Sequence, residues 1–189
     1  LTGLESLCLH VESGFSNSYP LPDLSPLASL TELKQLTIQT RRYLATCDSL
    51  SVLSSLPELE TLYLKRLNLP DLSILTGLPK LTSLSLEGSK NVDLAQLVGC
   101  SALRSIALED VCPLPDMRPL QQLPSIVSRV TVSEGKLCVA GHPTSGLEAY
   151  MALWAAPDKH AGIEELRLQR LRGHIDLEGL RGCRDLTHL

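Results

Sequence analysis

LPDLSILTGLPKLTSLSLEGSKNVDLAQLVGCSALRSIAL, residues 69–108, is the stretch from which the rest of the chain can be read. Leu72, Leu75, Leu78, Leu81, Leu84 and Leu86 return 22 residues later as Leu94, Leu97, Cys100, Leu103, Ile106 and Leu108. A fixed period of this length marks a repeat architecture and outweighs any window-by-window assignment. Each unit has two halves with different physics. Leu84-Ser85-Leu86 alternates with period two, which predicts a short strand. From Leu72 to Leu81 the apolar spacing is three, which suits a 3₁₀ turn or irregular coil and is too short for a long α-helix. One unit buries a single row of leucines and cannot close a core alone, so its neighbours must supply the walls.

Outward from this stretch, the pattern L-x-x-L-x-L recurs. Copies begin at Leu4, Leu33, Leu59, Leu81, Leu103, Val127, Ile163 and Leu186, at spacings of 29, 26, 22, 22, 24, 36 and 23 residues. Stacked copies predict an α/β solenoid with a parallel sheet on its concave side and 3₁₀ or short helical turns on its convex side. The composition agrees. By count, Leu supplies 42 of 189 residues and aromatics only 3%, so leucine fills the core. Pro57, Pro79 and Pro124 lead into strands and Pro70 opens the turn side, where no ladder hydrogen bond is owed. The expected domain organisation is a single array over 1–189. Because the chain opens at Leu1 and stops at Leu189 inside repeat units, it reads as a fragment of a larger chain.

This phased pattern resembles the leucine-rich repeat family. Its period is most similar to the short-unit classes, the internalin-like and phosphatase-regulator-like repeats. Gly99-Cys100-x-x-Leu103 and Gly182-Cys183-x-x-Leu186 are similar to cysteine-containing units of F-box and protozoan repeat proteins. The resemblance implies a non-catalytic binding scaffold. It departs at the ninth position of the unit, where the family usually places Asn. Here that position holds Glu12, Arg41, Leu67, Ser89, Val111, Gly135 and Leu171. Either the bends satisfy their backbone through other backbone groups or water, or the repeat is a divergent subclass.

Some units are irregular. Residues 12–20 form a polar loop carrying the only Phe, Phe15. Residues 41–47 are an insertion, after which 48–56 is expected to form a short helix capped by Asp48, with Leu50, Leu53 and Leu56 inward. The largest departure is 135–162. Ser145 and Glu148 fit a capping box, and Leu147, Met151 and Trp154 mark one face of a helix over about 146–156, stopped by Pro157.

In a strand, residues between the leucines face outward. The column inside L-x-L is Cys8, Thr37, Tyr63, Ser85, Ala107, Thr131 and Arg167. The next is His10, Gln39, Lys65, Glu87, Glu109, Ser133 and Gln169. The one after is Val11, Thr40, Arg66, Gly88, Asp110, Glu134 and Arg170. These columns place a basic aromatic spot, Tyr63, Lys65 and Arg66, beside acidic Glu87, Glu109, Asp110 and Glu134, with Arg167, Arg170 and Arg172 farther along. The candidate protein-binding residues are Tyr63, Lys65, Arg66, Glu87, Glu109, Asp110, Arg167 and Arg170. Arg and aromatic side chains are common interface anchors, and mixed sign suits a protein better than a phosphate backbone. The opposing reading is a merely solvated face, since the outward columns of any such array are polar.

Lys and Arg number 17 against 21 Asp and Glu, a net charge of −4, so no nucleic-acid partner is expected. No apolar run is long enough for a membrane span. The six cysteines include no CxxC pair and the chain holds no Asn-x-Ser/Thr sequon, which points to a reduced, intracellular setting. Cys8 and His10 share a strand face but find no third metal ligand in their columns, where Thr37 and Gln39 stand. Glu87, Glu109 and Asp110 lack the closed pocket that separates the pKa values of an acid and a base. No P-loop or nucleophile elbow occurs. Cys100 and Cys183 take leucine positions and are expected to be buried and inert, with Cys8 exposed. No cofactor, metal or catalytic residue is expected. The resulting function is a protein-interaction module or scaffold subunit, cytoplasmic or attached to a large assembly. The alternatives are the substrate-recognition arm of an enzyme complex, such as a ubiquitin-ligase adaptor or phosphatase regulator, and a cell-surface recognition module.

Overall fold

Every L-x-L segment among the described residues is a strand, and the strands stack in chain order. The computed structural model describes residues 3–11, 19–41, 45–46, 50–69, 71–111, 115–123, 129–133 and 165–169. The main strands are β1 (Ser6–Val11), β3 (Gln35–Thr40), β5 (Thr61–Lys65), β7 (Ser83–Glu87), β8 (Ser105–Glu109), β9 (Arg129–Ser133) and β10 (Glu165–Gln169). They form one seven-stranded sheet in the order β1-β3-β5-β7-β8-β9-β10, parallel throughout. The register aligns like positions of successive units: Leu36, Leu62, Leu84 and Ile106 are partners, as are Ile38, Leu64, Leu86 and Leu108. These inward residues are at most 1% exposed.

The return side is a row of 3₁₀ turns at Ser25–Ser29, Ser51–Ser55, Ser73–Gly77, Leu94–Leu97 and Arg118–Gln122. Side chains three apart eclipse in a 3₁₀ helix, so a leucine at every third position points the same way. Leu72, Leu75 and Leu78 are buried together, closed by Leu75 N–H to Leu72 O at 3.0 Å and Leu78 N–H to Leu75 O at 3.1 Å. The turn expected over 48–56 spans Ser51–Ser55. Leu50 precedes it, and Leu50, Leu53 and Leu56 are buried as expected. Asp48, the irregular unit at 135–162 with its helix over 146–156 and Trp154, and Cys183 lie outside the described residues.

Among the described residues, four turns open on an aspartate. The Oδ1 atoms of Asp23, Asp71, Asp93 and Asp116 accept from the backbone N–H of Ser25, Ser73, Ala95 and Arg118 at 2.9, 2.8, 2.9 and 3.0 Å. Each is an Asx-turn that supplies an acceptor to an N–H the 3₁₀ turn leaves unpaired. The sequence carries the signal as Pro22-Asp23-Leu24, Pro70-Asp71-Leu72, Val92-Asp93-Leu94 and Pro115-Asp116-Met117.

A second, three-stranded parallel sheet has no counterpart in the sequence reading. It pairs β2 (Tyr19–Pro20), β4 (Ala45–Thr46) and β6 (Leu67–Asn68). Its strands follow β1, β3 and β5 in the chain, and where those main strands end the third outward column needs correction. Thr40 continues β3 and is 2% exposed, because strict alternation turns residue 40 inward after Gln39 faces out. In the next three coils the equivalent Arg66, Gly88 and Asp110 take φ of 56°, 59° and 52°. This left-handed bend ends the strand and drives the ninth residue into the core, so Leu67, Ser89 and Val111 are at most 2% exposed.

The bends are satisfied mainly by backbone from the neighbouring coil. Arg66 and Gly88 N–H donate to Glu87 O and Glu109 O at 2.6 and 2.7 Å, and Lys90 N–H donates to Leu67 O at 3.0 Å. Ser89 adds a side-chain acceptor, its Oγ 3.4 Å from Leu67 N. Backbone pairing thus does most of the work that a ninth-position Asn would do.

Candidate functional site

The sheet presents the two outward columns in the order expected. Cys8, Thr37, Tyr63, Ser85, Ala107, Thr131 and Arg167 are successive register partners. So are His10, Gln39, Lys65, Glu87, Glu109, Ser133 and Gln169. Of the candidate binding residues, Tyr63 and Lys65 lie on β5, Glu87 on β7, Glu109 on β8 and Arg167, exposed, on β10. Arg66 and Asp110 sit one step past the strand ends, on the rim. Arg170, Glu134 and Arg172 lie outside the described residues.

Tyr63, Lys65 and Glu87 come together. The Tyr63 hydroxyl donates to Glu87 Oε2, and Lys65 Nζ is 2.7 Å from Glu87 Oε1. Both carboxylate oxygens are therefore taken. Burial raises the Glu87 pKa, but the bonds from Lys65 and Tyr63 together outweigh it and hold the carboxyl below its ordinary value. Burial, then the bond to Glu87, push the Tyr63 phenol well above its ordinary value, so it stays protonated. With side chains 26% and 23% exposed, the Lys65–Glu87 pair is shielded enough to fix geometry, though pairs near the surface contribute only about 1 kcal/mol or less. The result is an ordered patch of aromatic, cationic and anionic groups at the centre of the sheet face. A Glu kept ionised and a Tyr kept protonated are suited to recognition rather than proton transfer.

Arg66 is held at four points. Its N–H donates to Glu87 O at 2.6 Å, its carbonyl accepts from Ala45 N–H and Thr40 Oγ1, both at 3.1 Å, and its guanidinium donates to Arg41 O. Beside it is a cleft of about 260 Å³ lined by His10, Gln39, Thr40, Arg41, Lys65 and Arg66. At its edge Cys8 Sγ is 3.8 Å from His10 Nδ1, and the Gln39 amide lies against both residues. Asp110 has Oδ1 buried with no hydrogen-bond partner among the described residues. Cys8 is exposed and Cys100 buried, and burial pushes the Cys100 thiol up to about 11. Among the described residues no three His, Cys, Asp or Glu side chains group as metal ligands, and no helix is long and apolar enough to cross a membrane.

The columns are legible in the sequence and already group the cleft residues except Arg41. In the sequence Arg41 is a ninth-position residue and His10 half of an incomplete metal pair. The β1–β3 register, which pairs His10 with Gln39 and Val11 with Thr40, brings them to one rim.

No model of a protein family matches this chain, and no curated protein matches it. Among solved structures it is similar to two proteins of Listeria monocytogenes. One is an internalin (inlF), with 16% identity and a TM-score of 0.47 over 90% of this chain and 57% of the other. The other is an internalin C2 (inlC2), with 18% identity and a TM-score of 0.45 over 88% of this chain and 66% of the other. The chain thus spans between half and two thirds of the length of the proteins it resembles.

Proposed function

We propose that this chain, whose coils are leucine-rich repeats, is a non-catalytic protein-interaction module and that its sheet face is the binding surface. The observation that carries this is the Tyr63–Lys65–Glu87 patch, ordered in the middle of an open sheet and flanked in register by Glu109 and, farther on, Arg167. An array of this kind offers an extended, repetitive surface. Alternating charge along it selects a partner and fixes its register, because like charges placed opposite one another repel. The module acts as a subunit of a larger assembly inside the cell. Free thiols at Cys8 and Cys100 suit a reducing compartment.

The test is affinity capture from cell extract with the 189-residue chain, quantified by mass spectrometry, beside a Lys65→Ala/Glu109→Ala/Arg167→Ala variant of unchanged circular dichroism. Partners lost in the variant support the reading. Partners captured equally by both proteins overturn the sheet face as the binding surface.

A further inference from the structure

We infer that the sheet face takes a single arginine side chain from a protein partner, seated in a trough along β7 and β8 with its guanidinium on the Glu109 carboxylate. This deepens the interaction reading and rests on it.

The trough follows from where the small outward residues fall. Ser83 and Ser85 on β7 are register partners of Ser105 and Ala107 on β8, and all four are half-buried. Beside them stands Tyr63 on β5, the register partner of Ser85, whose hydroxyl reaches across to Glu87. The Tyr63 ring is therefore a wall along β7. At its far end the trough meets Glu87 and Glu109, which are themselves register partners. Like charges directly opposite on neighbouring strands destabilise a sheet. Lys65 and Tyr63 take both oxygens of Glu87. The Glu109 carboxylate has no ion-pair or hydrogen-bond partner among the described residues.

The charge this face lacks is a cation over the gap between β7 and β8. Glu109 accepts from it directly, while Glu87, with its oxygens taken, adds only its field. The seat suits arginine. Its planar guanidinium meets a carboxylate with two N–H groups and stacks on an aromatic face, and its methylene stem lies on small or apolar side chains. From Ala107 to Glu109 is about 7 Å along the strand, which an extended arginine side chain covers. The flanks limit the charge. Lys65 lies on β5, one strand before Glu87, and the exposed Arg167 on β10, two strands beyond β8. A polybasic segment laid across the strands meets cations on both sides, so the face selects one arginine with uncharged neighbours.

The probe is the peptide acetyl-Ala-Ser-Arg-Ser-Ala-amide, titrated at low salt into the isotope-labelled full chain and followed by backbone amide chemical shifts. Shifts should concentrate at Ser85, Ala107 and Glu109. Binding should weaken about fivefold or more in Glu109→Gln, which keeps the shape and removes the charge, and in Ala107→Leu, which fills the trough and keeps the charge. A thermal melt checks the fold of each variant. Binding should weaken similarly when citrulline, neutral and of the same shape, replaces the peptide's arginine. Shifts centred elsewhere, no shift at millimolar peptide, equal binding by Glu109→Gln, or tighter binding of an Ala-Arg-Arg-Arg-Ala peptide would each overturn the trough. If both trough variants bind the peptide normally while the Lys65/Glu109/Arg167 variant loses its captured partners, the trough fails and the interaction reading stands.

Discussion

The coils that begin at Leu59, Leu81 and Leu103 differ from those that begin at Leu4 and Leu33. In the central three the residue before the ninth position is Arg66, Gly88 or Asp110, left-handed, and the strand stops at five residues. In the first two it is Val11 or Thr40, still in a strand of six residues. β-Branched residues are genuine outliers at positive φ, so Val11 and Thr40 cannot make the bend. The first two are also the coils with spacings of 29 and 26, against 22, 22 and 24 for the bent ones. One side-chain branch thus accompanies the change from a compact unit to a long one. Burial divides the coils differently: Leu62, Leu64, Leu84 and Leu86 are 0% exposed and Leu36 and Ile38 of the second coil at most 1%, while Leu4, Leu7 and Leu9 of the first coil are only partly buried.

The comparison breaks most visibly under a buried charge. Leu84→Asp should cost about 4 kcal/mol in urea unfolding, since an ionised group in a leucine row has no partner. Leu7→Asp, at the more open end, should cost about half as much. Equal losses would mean that the first coil is as closed as the centre. Next in size is Gly88→Ala, which should cost about 1–2 kcal/mol. A Cβ there requires φ of 59° and would lie 3.1 Å from Arg66 Cγ.

Asp110→Gly sharpens the same point with opposite sign. It should stabilise by about 1 kcal/mol, because it relieves a left-handed non-glycine residue and removes a buried, unpartnered oxygen. Thr40→Gly should destabilise, because Thr40 is extended and its hydroxyl donates to Arg66 O. If both glycines acted alike, the two kinds of coil would share one bend.

The smallest effect is on the turn side. Bonds from the Ser25 and Ser73 side chains, then from their N–H groups, hold Asp23 and Asp71 below the ordinary value of 3.8, and the Arg118 side chain, then its N–H, does so for Asp116. A carboxylate with a lowered folded pKa contributes stability that is complete above its unfolded value and is lost as pH falls through the folded value. Melting temperature should therefore be flat near neutrality and fall below about pH 4. An Asp23→Ala/Asp71→Ala variant should show a shallower fall. An unchanged acid slope would remove these turns as its source.

The leucine rows, the strand positions and the register across the sheet are all readable from the sequence, because period two and period three each leave one sign in it. Lys65 facing Glu87 follows from the columns. What escapes is set by single dihedral angles. Nothing local marks Arg66 as left-handed, since arginine rarely visits that region. The inward Thr40 is missed for the converse reason: a column continued past Gln39 crosses the point where alternation reverses it. The four aspartate turns are present as Asp-Leu and Asp-Met pairs, yet a leucine-based search passes over the residue beside the leucine.

Cys100 has a consequence for how the array could be watched in motion. Its sulfur occupies a leucine position at 1% exposure, and its pKa is pushed up to about 11. A thiol-specific reagent should modify Cys8 in seconds to minutes and reach Cys100 only when the central coils part. Peptide mapping of the modified chain against time would turn that one atom into a clock. Its rate, divided by that of an open thiol, gives the opening free energy of the middle of the array without unfolding the whole.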